Sequence, residues 1–189
     1  DVEIITENWL EEMLQLCQQK DVGMAGAKLY YPDDTIQHAG VVVGLGGVAA
    51  HVLCKLPRDA EGYMGRLRCV QEISAVTAAC MMVKTSVFKA VGGFDEELKV
   101  AFNDIDLCMK VRKYGVKIVF TPYAELYHYE SKSRGMEDTP EKQLRFSREV
   151  NCFRRKWERE LLKGDPYYNP NLTLNNTDCS LRKQEKNGD

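Results

Sequence analysis

Helix-like and strand-like apolar patterns alternate along this chain, and that alternation restricts it to an α/β fold. Trp9, Leu10, Met13, Leu14 and Cys17 recur three and four residues apart, which predicts a helix over Asn8 to Lys20. Val22 to Tyr31 reads as a strand, Pro32-Asp-Asp34 as a turn, and Ile36 to Leu45 as a second strand ended by Gly44-Leu-Gly-Gly47. Glu72 to Val83 is a run of small apolar residues and predicts a buried strand; Thr85 is then placed to cap a short helix, Ser86 to Val91. Asn103 opens a helix that stops at Gly115, followed by two short strands, Lys117 to Thr121 and Ala124 to His128. Pro140 opens a long helix reaching Gly164, with Phe146, Val150, Phe153, Trp157 and Leu161 on one face. Val48 to Cys69 shows no clear period and is expected to be a functional loop.

Composition narrows the function. The 189 residues hold 26 basic and 28 acidic side chains, a formal net charge of −2, which argues against a dedicated nucleic-acid binder. Apolar runs such as Val41–Leu45 and Ala75–Val83 are far too short to span a bilayer. The seven cysteines are scattered, form no C-x-x-C pair and sit mostly in apolar patterns, so zinc spacing is absent and a reducing cytoplasm is expected. Asp1 leads directly into Val2 to Ile5 without a charged leader, so no signal peptide is expected and the chain reads as an interior piece of a longer one or a processed form.

Three places could carry chemistry. In Asn103-Asp-Ile-Asp106, Asn103 is expected to be the N-cap and Asp106, three residues on, to close a capping box. Asp104 and Asp106 would then point about 200° apart, leaving Asp104 to face a cleft at a helix N-terminus that favours its ionised form. His128 ends a strand and precedes Glu130, Lys132 and Arg134, a loop suited to phosphate oxygens. Asp1-Val-Glu3 offers two carboxylates for a divalent cation. The stretch Lys142 to Lys163 holds eight basic residues and three Glu. Its apolar stripe is expected to dock on the domain, with peripheral membrane contact as the other use of such a helix.

Taken in order, these pieces resemble the family 2 glycosyltransferases, especially the bacterial rhamnosyltransferase and O-antigen types. The resemblance rests on Trp9-Leu-Glu-Glu-Met13, Gln37-His-Ala-Gly40, Gly44-Leu-Gly-Gly47, Ser74-Ala-Val-Thr-Ala-Ala-Cys80, Val91-Gly-Gly-Phe-Asp95, Asn103-Asp-Ile-Asp106, Tyr127-His-Tyr-Glu-Ser131 and Asp165-Pro-Tyr-Tyr-Asn-Pro-Asn171. It covers residues 1 to 174, leaving 175 to 189 as a polar tail. It implies a partial GT-A fold, a mixed sheet flanked by helices, lacking the nucleotide-binding half. It also implies inverting transfer of a sugar from a nucleotide-diphosphate donor to a glycan or lipid-linked acceptor. Asp104 is implied to be the general base. Asp1 and His128 are implied to hold Mg²⁺ or Mn²⁺. Thr77, Ala78, Ala79, Asn103 and Arg134 are implied to line the substrate. Two other readings stand beside this one: a non-catalytic carbohydrate-binding or interaction module derived from such an enzyme, and a metal-dependent hydrolase using Asp104, Asp106 and His128.

Overall fold

The computed structural model describes residues 1–129 and 139–183. Two long strands organise it: β2 (Val22–Tyr30) and β8 (Lys117–His128), which run parallel at the centre of a six-stranded sheet. Every residue of β2 is buried, as expected for a strand covered on both faces. Four short antiparallel strands complete the sheet. β1 (Val2–Ile4) and β6 (Gln71–Glu72) pair with opposite ends of β8, while β3 (Ile36–His38) and β7 (Met81–Val83) pair with opposite ends of β2. A separate hairpin joins β4 (Val41–Val43) to β5 (Ala49–His51).

Helices cover the two faces. α1 (Trp9–Cys17) buries Met13, Leu16 and Cys17 against Ala25, Ala27, Leu29 and Leu126. The opposite face packs Met24, Ile118 and Phe120 against Leu107, Cys108 and Val111 of α3 (Asn103–Tyr114), and Phe153 of α4 (Pro140–Lys156) joins the same cluster. Two short helices, α2 (Thr85–Ala90) and α5 (Glu158–Lys163), finish the framework. Among the described residues, no helix is long and apolar enough to cross a membrane. The α4 stripe docks as expected through Phe153 and Val150, although Leu144 and Phe146 keep 54% and 41% of their surface in solvent.

The structure corrects several local expectations. The strand expected over Ile36 to Leu45 is broken into β3 and β4 at Gly40, whose φ of +104° suits a residue without a Cβ. The two strands expected after Lys117 are one, with Pro122 inside it. Between the pairs Gly26↔Phe120 and Lys28↔Glu125, β8 spends more residues than β2, so the proline lies in a bulge where no ladder bond is required of it. The single helix expected to Gly164 breaks at Trp157 into α4 and α5. Thr85 does not cap α2; the cap position is Lys84, which makes no side-chain cap bond. The expected loop over Val48 to Cys69 contains β5 and a short 3-10 turn at Tyr63–Gly65. The first part of the expected polar tail folds back on the domain: Leu53 N–H donates to Thr177 O at 2.6 Å and Cys179 is buried.

The most informative correction concerns Glu72 to Val83. Only its ends are strands, β6 and β7, and between them lies a 3-10 turn, Ala78–Cys80. The segment crosses β2 closely enough that a Cβ at Gly26 would sit 2.3 Å from Val76 Cγ1. Four consecutive N–H groups here have side chains for partners instead of a ladder. Val76 N–H donates to Cys108 Sγ at 3.4 Å, and Thr77 N–H to His38 Nε2 at 3.4 Å. Ala78 N–H donates to Asp104 Oδ2 at 3.1 Å, and Ala79 N–H to Thr77 Oγ1 at 3.4 Å.

Candidate active site

This turn brings Thr77, Ala78 and Ala79 to the start of α3, where Asn103 and Asp104 sit. Asn103 is not the N-cap. The cap position is Phe102, at φ +62°, and Asn103 is the first helical residue, its Oδ1 accepting from Asp104 N–H at 2.7 Å. A left-handed phenylalanine is costly, on the order of 1–2 kcal/mol. It is held by ring contacts with Phe146 and Phe153, at centroid distances of 5.8 and 5.3 Å. Just before it, the buried Glu149 carboxylate of α4 accepts from Val100 N–H at 3.1 Å and Ala101 N–H at 2.9 Å. The segment that delivers Asp104 is thus braced from behind by α4.

Asp104 is half-buried, and its carboxylate accepts from Ile105 N–H at 2.9 Å and from Ala78 N–H at 3.1 Å. An ionised carboxylate has about four lone-pair directions, so two such bonds fix its plane and leave acceptor capacity. Asp106 behaves differently. It closes no capping box on Asn103. Fully buried, its Oδ1 accepts from Trp157 Nε1 at 2.8 Å and meets Lys156 Nζ at 2.7 Å, while Oδ2 lies 3.0 Å from Lys110 Nζ. The divergence of the two carboxylates holds, but Asp106 is committed to the core. The hydrolase reading, which needs Asp104, Asp106 and His128 at one site, is thereby removed.

Gln37 and His38, which carry no assigned role in the sequence motif, connect the 76–79 turn with the end of β8. His38 on β3 is fully buried. Because Thr77 N–H can only donate, His38 Nε2 must be the accepting nitrogen and Nδ1 must carry the proton of the neutral ring. Burial, with His51 and His128 close by, holds His38 well below the ordinary histidine range. Its Nδ1 has no partner among the described residues, a feature that costs about 1–3 kcal/mol when a polar group is buried. The ring of His51 packs edge-on against it at 4.8 Å, and His51 Nδ1 lies 2.8 Å from Gln37 O, a carbonyl that can only accept.

Gln37 is buried as well, and both ends of its amide meet His128: Nε2 donates to His128 O at 3.2 Å, and Oε1 faces His128 Nδ1 at 2.7 Å. The carbonyl settles the amide orientation, since only the NH₂ end can face it. Oε1 therefore faces the ring, so Nδ1 carries a proton and, in the neutral ring, Nε2 keeps the lone pair. His128 in turn pairs with Val2 across β8 and β1, and Asp1 O accepts from Tyr129 N–H at 2.9 Å, which brings Asp1 beside the strand end that carries His128. Among the described residues no three His, Cys, Asp or Glu side chains gather as a metal site. Arg134, with Glu130 and Lys132, lies outside the described residues.

A mixed sheet with helices on both faces fits a partial GT-A fold. The chain belongs to glycosyltransferase family 2: the model described as "Glycosyltransferase like family 2" matches residues 2–148. It is 58% identical over 182 residues to the "Uncharacterized protein y4gI" of Sinorhizobium fredii (strain NBRC 101917 / NGR234), covering 96% of this chain and 20% of that protein. It is 38% identical over 190 residues to the "O-antigen biosynthesis protein RfbC" of Myxococcus xanthus, covering 100% of this chain and 14% of that protein. A 62-residue stretch, 33% of this chain, is 36% identical to the "N-acetylglucosaminyl-diphospho-decaprenol L-rhamnosyltransferase" of Mycobacterium tuberculosis (strain ATCC 25618 / H37Rv), where it covers 20% of the protein. The chain thus spans a fifth or less of these relatives. Its resemblance is to the bacterial rhamnosyltransferase and O-antigen type.

Proposed function

We propose that this chain supplies the acceptor side and the general base of an inverting glycosyltransferase. The donor is a nucleotide-diphosphate sugar, and the acceptor is a glycan or a lipid-linked saccharide. The observation that carries this reading is the contact between the Asp104 carboxylate and the Ala78 N–H, which sets a half-buried base beside a turn open enough to meet an acceptor. In the reaction, the acceptor hydroxyl oxygen attacks the anomeric carbon and its proton passes to Asp104. The bond from that carbon to the diphosphate breaks, the electron pair leaves with the diphosphate, and the configuration inverts. Thr77, Ala78, Ala79 and Asn103 shape the acceptor side, and Arg134 is assigned to the substrate because a loop with Lys and Arg suits phosphate oxygens.

For the divalent cation, Mg²⁺ or Mn²⁺, the residues that would hold it are Asp1 and His128. The fit is supported by the Gln37 amide, which leaves His128 Nε2 with the lone pair a metal needs. Two protein donors are enough only if diphosphate oxygens and water complete the coordination. When bound, the cation offsets charge developing on the leaving diphosphate.

Sugar transfer by the full-length protein carrying Asp104→Asn tests the reading. Transfer is expected to fall by about 10²–10⁴-fold, the usual range for a general base. Undiminished transfer would contradict it, and if glycan binding were impaired instead, the non-catalytic binding module would be favoured.

A further inference from the structure

We propose that Gln37 and His38 act together as a positioning unit, tying the turn that faces the base to the strand end that carries His128. The proposal rests on the roles given above to Asp104 and His128. Neither residue is in the family's implied base or metal set, and neither is explained by packing. His38 occupies a fully buried place where an apolar side chain would leave no orphaned donor, yet its ring is used to hold one backbone N–H, that of Thr77. The next N–H, that of Ala78, is the one that binds Asp104. Displacing Thr77 therefore displaces the contact that orients the base.

Gln37 does the matching task on the other side. A buried amide that places both its ends on one histidine restrains the ring's rotation and its tautomer together. The backbone between the two residues is a single peptide unit in β3, so the two tasks are mechanically linked. β3 is anchored in turn by pairing with β2 and by a hydrogen bond from Lys55 N–H to Ile36 O at 2.7 Å. His51 packs on this unit from β5, with its Nδ1 on Gln37 O. The dipeptide thus receives contacts from β5, β8 and the 76–79 turn. These are the segments that must keep register if Asp104 and His128 are to address one substrate.

Substitutions separate the two tasks in the full-length protein. Gln37→Leu removes both amide contacts and is expected to weaken Mn²⁺ binding by about 10–100-fold, the range for losing an outer partner of a metal-binding histidine. Binding is read by electron paramagnetic resonance of free Mn²⁺ titrated with the metal alone, and by the Mn²⁺ concentration giving half-maximal transfer. Turnover at saturating Mn²⁺ should be largely restored. His38→Phe is expected to lower kcat about tenfold or more with the Mn²⁺ requirement unchanged. His38→Gln, whose Oε1 can accept from Thr77 N–H, should recover most of that loss and guards against a variant that merely folds badly. A purely structural role would lower thermal stability in each variant without splitting metal affinity from kcat. Unchanged Mn²⁺ binding in Gln37→Leu, or no rescue by His38→Gln, would overturn the proposal. If Asp104→Asn is inactive while these variants behave like the parent, only the positioning proposal fails. If Asp104→Asn is fully active, the reading beneath it fails first.

Discussion

The first turn of α3 presents two carboxylates two residues apart, and they live in opposite environments. Asp104 faces outward onto the 76–79 turn and holds two backbone N–H groups. Asp106 faces inward, fully buried, among Trp157, Lys110 and Lys156. The helix period alone sends them to different faces, and their surroundings then give them different tasks. One can meet a substrate. The other fastens the helix to the junction of α4 and α5, so Asp104 has a rigid support. Mechanistic claims about an Asp-x-Asp pair on a helix therefore need the partners of each carboxylate.

Removing the inward carboxylate should have the largest effect on stability. Asp106→Ala leaves the Trp157 N–H without its acceptor and takes a carboxylate from Lys110 and Lys156, which keep Gly93 O and Asp95. It is expected to cost on the order of 3 kcal/mol, the lower end for breaking a buried pair because both lysines reach solvent. Urea unfolding checks this, and a cost below about 1 kcal/mol would mean that the back of α3 is held by packing alone. Next is the brace from α4. Glu149→Ala leaves the N–H groups of Val100 and Ala101 unpaired and should cost about 2 kcal/mol. It should also lower transfer, because the segment ending at the left-handed Phe102 delivers Asp104. Glu149→Gln can keep one of the two bonds and should fall between Glu149→Ala and the parent.

The smallest effect is a pH slope. Folded His38 stays neutral to a pH well below the ordinary histidine value of about 6.5, at which the unfolded chain takes up its proton. Below that pH the unfolded state binds more protons, so stability should fall with falling pH by up to about 1.4 kcal/mol per unit, and should be level above it. His38→Gln should reduce this slope. An equal slope in both proteins would show that other groups set it.

Much of this was legible in the sequence. The α/β alternation rests on local pattern, and the family on motif order. What was not legible depends on distant partners. Asp106 was expected to cap its own helix because Trp157, 51 positions away, cannot be seen in local spacing. The two strands read over Lys117 to Thr121 and Ala124 to His128 are one, and only the pairing with β2 reveals the bulge that accommodates Pro122 between them. The strand expected through Glu72 to Val83 failed at Val76–Ala79, where side chains from β3 and α3 replace ladder partners. Gln37 and His38 carried a signal: adjacent polar residues in an otherwise apolar strand pattern, which are seldom buried without a purpose.

The central claim is that Asp104, and not Asp106, performs the chemistry. Its most direct test measures sugar transfer and thermal unfolding of Asp104→Asn and Asp106→Asn side by side in the full-length protein. The account predicts that Asp104→Asn loses transfer while unfolding close to the parent temperature, whereas Asp106→Asn unfolds earlier and keeps transfer in proportion to its folded fraction. Parent-like transfer by folded Asp104→Asn would contradict it.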